Sequence, residues 1–91
     1  MDFTDIDLRI GTVTEAVLEG GALHLRVDVG GGVLEAVSHI TENYGPDDVV
    51  GTQVVVVTRG AGAVVLAAVS PSQGAVVLRP DRPVADGTQV V

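Results

Sequence analysis

Leu23, Leu25, Val27 and Val29 alternate with His24, Arg26 and Asp28, the clearest period-two pattern in the chain. Such alternation predicts a strand with one buried face and one wet face. Upstream, Leu8, Ile10 and Val13 open a first strand that runs to about Val17, and Gly11 in its middle reads as a bend or bulge. Downstream, Gly30-Gly31-Gly32 turns the chain back into Val33 to Val37, which makes a hairpin. Gly20-Gly21 and Gly60-Ala61-Gly62 are too short to be linkers and read as turns.

The pattern changes after Val37. His39 to Tyr44 reads as one polar turn of helix, with Ser38 as its cap and Gly45-Pro46 as its stop. Val54 to Val57 is uniformly apolar, as in a strand buried on both faces. Ala63 to Val69 predicts another strand, Ser70 to Gly74 a turn, and Ala75 to Arg79 a returning strand. Pro80-Asp81-Arg82-Pro83 breaks pairing, and Thr88 to Val91 predicts a last short strand after the Asp86-Gly87 turn. Five main strands with a small helix between the third and fourth is the order of an all-β, five-stranded OB-fold Greek-key barrel. At this length the expectation is one domain, residues 1–91.

Composition agrees. Twenty valines against one Phe, one Tyr and no Trp is a β-branched excess suited to strands. The absence of cysteine excludes disulfides, thiol catalysis and thiolate zinc sites, and fits a reducing cytoplasm. The opening MDFTDIDLRI lacks the basic and apolar regions of a signal peptide, and no apolar run approaches a membrane span. A core this small is commonly reinforced by oligomerisation, and the apolar Val90-Val91 offers a strand edge, so a homodimer is expected.

Charge narrows the partners. Five arginines, no lysine and a net charge of −7 favour solubility and repel nucleic acid. The same composition fits a salt-rich cytoplasm, and a halophilic chain is one expectation. Gly30-Gly31-Gly32 is followed by no helix and is not a phosphate loop. Asp47-Asp48 lacks the ligand ladder of a calcium loop. Two histidines, His24 and His39, without a third ligand do not make a zinc set. No acid–base pair or nucleophile triad is present, so neither enzyme nor cofactor is expected.

The ordered residues resemble a known family. Phe3 with Asp7-Leu8-Arg9-Ile10-Gly11-Thr12-Val13 fits the opening of the tRNA-binding domain, the OB-fold module also appended to some methionyl- and phenylalanyl-tRNA synthetases. Val37-Ser38, then Ile40-Thr41-Glu42-Asn43-Tyr44, Pro46 and Val50-Gly51 look most like its stand-alone CsaA group of export-chaperone-like proteins. Pro80-Asp81-Arg82-Pro83-Val84 with Gly87-Thr88 fits the closing motif. The resemblance covers nearly the whole chain. It departs after Val57, where Thr58 to Gly62 stands in place of a longer ligand loop. A rival alignment sets Ser72-Gln73-Gly74 on that loop and deletes the following hairpin instead.

The resemblance implies binding of tRNA or other RNA. The alternatives are a CsaA-like peptide-binding chaperone dimer, or a reduced interaction subunit that has lost RNA binding. The candidate contacts are six. Arg59 ends the fourth strand beside the shortened loop. His24 and Arg26 lie on the polar face of the second strand, which is either a binding face or a solvated one. Arg9 matches a family position and either ties the first strand to a carboxylate or meets a ligand. Ser38 and Asn43 belong to the polar segment. Nucleic-acid binding without sequence preference uses aromatic platforms as well as charge, and only Phe3 and Tyr44 could supply them.

Overall fold

The computed structural model describes residues 7–41, 43–59 and 62–91, with Arg59 described in its backbone only. Among these residues seven strands and one helix follow in chain order: β1 (Leu8–Glu19), β2 (Ala22–Asp28), β3 (Val33–Ser38), α1 (Pro46–Val49), β4 (Gln53–Arg59), β5 (Gly62–Val65), β6 (Ala67–Ser70) and β7 (Gly74–Val77). The first five strands in space, β1-β2-β3-β5-β4, close a barrel, and β6-β7 forms a separate two-stranded ladder. This is the expected OB-fold barrel. Among the described residues only the β3–β5 contact is parallel, and it is short: Glu35 faces Gly62 and Ala36 faces Ala63. No helix among the described residues is long and apolar enough to cross a membrane.

The alternation in β2 does what its period demands. Leu23, Leu25 and Val27 are buried while His24 and Arg26 are exposed. They join Val13, Ile40, Val49, Val54, Val56 and Val65 in one core. β1 is long because it serves two partners. Leu8 to Thr12 pairs with β4, and Thr12 to Glu19 pairs with β2. The register slips between Val13 and Glu15, so the bulge lies at Thr14 rather than at Gly11. Gly11 has a different reason. A methyl group there would collide with the Val27 side chain and the Asp28 carbonyl, so the two backbones close the barrel only without it.

Three local expectations are corrected. The helix starts at Pro46 with Gly45 as its cap, and does not end at the pair. Proline at the first helical position has its φ preset and needs no amide partner, so the pair starts a helix instead of ending one. The Asp48 amide donates to the Gly45 carbonyl (3.0 Å), and the Asp48 carboxylate accepts the Gly45 N–H (2.7 Å). Val55 and Val57 are only half-buried, so the valine run of β4 has one core face, not two. Ala63 to Val69 is two strands, split at Leu66. There the Leu66 amide donates to Val55 and its carbonyl accepts from Leu78, which leads the chain off the barrel into the β6–β7 hairpin.

The predicted last strand is reduced to a single bridge, Arg9 to Gln89. Around it, Gly87 N–H donates to Ile10 O (2.7 Å), Ile10 N–H to Thr88 O (2.9 Å) and Val90 N–H to Leu8 O (2.9 Å). The segment therefore straps the first half of β1 on the edge that β2 does not reach.

Candidate nucleic-acid interface

Strand register carries one row of residues around the barrel. Glu15 faces Arg26, Arg26 faces Glu35, Glu35 faces Gly62, and Gly62 faces Arg59. Two of the expected contacts, Arg26 and Arg59, thus share one backbone row. His24 lies in the next row, between Val17 and Val37. His24, Arg26, Glu15, Glu35, Val17 and Val37 bound a shallow depression of about 220 Å³. Cross-strand pairing dictates the electrostatics. Arg26 lies 3.5 Å from Glu15 and 3.6 Å from Glu35. Each contact is exposed and weak. Together, two carboxylates against one guanidinium leave the Glu15–Arg26–Glu35 stretch of this row acidic, and that stretch repels phosphate.

The other candidates are engaged by the fold. Arg9 Nε donates to the Asp7 carboxylate (2.7 Å) and its NH1 to the Gly87 carbonyl (3.1 Å), so it fastens the C-terminal strap. Thr58 donates its hydroxyl to the other Asp7 oxygen (2.6 Å). The Thr58 hydroxyl first, and the Arg9 guanidinium second, hold the Asp7 carboxyl below the usual carboxylate range, against a weaker opposing effect of burial. Ser38 is buried, and its hydroxyl accepts the Ile40 N–H at 3.4 Å instead of capping a helix. Asn43 donates its amide to the Gln73 (2.6 Å) and Ala75 (3.0 Å) carbonyls, which pins the β6–β7 hairpin. Phe3 lies outside the described residues. Tyr44 does not leave its hydroxyl in water, because that oxygen accepts the Val77 N–H at 3.0 Å.

Two features escaped the sequence pattern. Arg79, read above as the end of a strand, and Arg82, read as part of a pairing break and of the closing motif, line one groove of about 300 Å³ with Thr12 and Gln53. A second, apolar groove of about 500 Å³ opens where β3 and β5 diverge, lined by Val37, Ile40, Val64, Val65, Val69 and Ala75. Neither has a sequence signal, since each is made by elements far apart in the chain. Among the described residues, no three His, Asp or Glu side chains gather into a metal set.

The β4–β5 connection bears on the first of the two alignments. Arg59 pairs with Gly62, so two residues connect the strands where the resemblance would place a longer loop, and the later hairpin is retained as β6–β7.

No protein-family model matches the chain. It is 46% identical over 63 residues to a methionine–tRNA ligase of Salinibacter ruber, an alignment spanning 66% of this chain and 9% of the ligase. With the methionine–tRNA ligase of Methanoregula boonei it shares 33% identity over 98 residues, 98% of this chain and 15% of the ligase. The chain therefore spans about a tenth to a seventh of the length of these curated relatives. Among solved structures, the chaperone CsaA from Bacillus anthracis superposes with a TM-score of 0.88 at 35% identity, over 99% of this chain and 94% of CsaA. A protein related to methionyl-tRNA synthetase from Pyrococcus horikoshii superposes with a TM-score of 0.87, covering 98% of this chain and 93% of that one, but at 17% identity it attests the fold alone.

Proposed function

The chain belongs to the CsaA-like tRNA-binding-domain family, and from that premise we propose that it is a non-catalytic module that binds RNA, tRNA above all. One observation carries the reading. A single barrel aligns along 98% of its length with part of a methionine–tRNA ligase, and that part is only 15% of the enzyme. What a piece of that size shares with a ligase is grip on tRNA, not the ligation. We place it in the cytoplasm, with which a cysteine-free composition is compatible.

The net charge of −7 limits how RNA is held. Long-range attraction is absent, so binding rests on a few local arginines and on shape. Fluorescence anisotropy with labelled bulk tRNA, at low and at high salt, tests the proposal. Saturable binding at low salt supports it, and no binding at either salt rejects it.

The apolar groove between β3 and β5 favours a second reading, polypeptide binding. Val37, Val64 and Val69 are exposed along it, and apolar surface of this kind serves an extended apolar segment. Suppression of client aggregation at several-fold excess would support that reading, and an inert protein would end it. We assign a homodimer to the same family geometry, and a mass of about 9.2 kDa in light scattering at micromolar concentration would contradict it. Retrieval of a defined protein partner with no RNA would indicate an interaction subunit instead.

A further inference from the structure

The four arginines whose side chains are described differ in how their charge is engaged. Arg9 is paired with Asp7, and Arg26 lies between two glutamates. Arg79 is held without being neutralised. Its guanidinium lies over the Tyr44 ring, 5.7 Å from the centroid, and its NH2 reaches the Asp48 carbonyl at 3.5 Å. Tyr44 is itself fixed by the Val77 N–H. A ring face and a carbonyl orient a cation and leave its charge in place. Among the described residues, no carboxylate lies within ion-pair distance of Arg79. Arg82 has one carboxylate partner, Asp81 at 3.7 Å, and both side chains are about nine-tenths exposed, so water screens the pair.

These two arginines line the same groove. Pro80 and Pro83 form its wall, and their fixed backbones hold the arginine-bearing segment in shape. The segment is anchored next door: Gln53 donates to the Val84 carbonyl (2.6 Å) and accepts the Val84 N–H (3.1 Å). The groove's floor is committed, because Thr12 and Gln53 both donate to Asp86. Its available side-chain donors are the guanidiniums. At about 300 Å³ the groove has the volume of a small-molecule site, enough for one nucleotide.

We infer that the Arg79–Arg82 groove is a phosphodiester-binding site that takes the backbone of single-stranded RNA, at the end of β4 opposite Arg59. The identity of the polymer rests on the RNA-binding reading, whereas the phosphate chemistry does not. Guanidinium forks suit phosphate oxygens, and a flat proline wall beside them suits a sugar or base face. Asp81 and Asp86 border the groove and oppose an isolated anion. An extended ligand with two phosphates, one on each arginine, therefore gains most.

The experiment has two arms on the full chain. In the first, a fluorescein-labelled single-stranded RNA hexamer is titrated against the wild type and the Arg82→Gln, Arg79→Gln and Arg59→Gln variants, with folding confirmed from amide spectra. Arg82→Gln is expected to weaken binding roughly fivefold and to reduce the salt slope by about 0.7. Arg82 is almost fully exposed, so this variant does not disturb folding. Arg79→Gln is expected to do at least as much. A loss confined to Arg59→Gln, or equal affinity in all four proteins, overturns the site. In the second arm, inorganic phosphate is titrated into the ¹⁵N-labelled wild type. Amide shifts centred on Thr12, Gln53 and Arg82 support the site even if the hexamer does not bind, and that outcome rejects RNA as the occupant. Shifts centred on His24 and Arg26, or none at any residue together with no hexamer binding, reject the site.

Discussion

Asp7 shows how one residue joins three parts of the fold. Its carboxylate accepts from Thr58 on β4 and from Arg9 on β1, and Arg9 reaches Gly87 in the strap. Both bonds favour the charged form, so the folded pKa is below the unfolded one. The stability this adds is complete above the ordinary Asp range, near pH ~3.9, and is lost as pH falls through the folded value. Thermal melts should therefore show wild type and Asp7→Asn converging at acid pH and separating above about pH 4. A constant gap down to the lowest pH would show that the carboxylate's charge is irrelevant. The roles of Arg9, Asn43 and Tyr44 depend on partners 78, 30 and 33 residues away. Residue types alone gave Arg9 a carboxylate as one option and gave Asn43 and Tyr44 no partner within the fold.

At the scale of elements, legibility followed locality. β2 and the β2–β3 hairpin obey a period-two rule that any window contains, and both were readable. The helix was misplaced because a polar stretch ending in Gly45-Pro46 fits two rules at once, stop and start. Only the Asp48 carboxylate folding back on the Gly45 amide decides between them. Asp48→Ala should remove that bond and destabilise the protein by about 0.5–2 kcal/mol in denaturant melts, since α1 seats the core residue Val49. An unchanged midpoint would mean that Pro46 alone starts the helix. The β3–β5 closure was legible only through the order of elements, because among the described residues just two pairs make it.

The whole molecule combines a valine-rich barrel with an acidic, lysine-free surface. Self-repulsion of seven net charges is screened by salt. If the surface is adapted to a saline interior, the thermal midpoint should rise between low and molar KCl, and a salt-independent midpoint would remove that reading. The same surface bears on the central claim, that this barrel holds RNA through a few local arginines. Its most direct test is the slope of log affinity for bulk tRNA against log salt. Two phosphate contacts at about −0.7 each predict a slope near −1.4, so affinity should fall roughly sevenfold between about 50 and 200 mM salt. A slope steeper than about −3 would require more cationic contacts than these arginines supply, and no measurable tRNA binding even at ~50 mM salt would contradict the account outright.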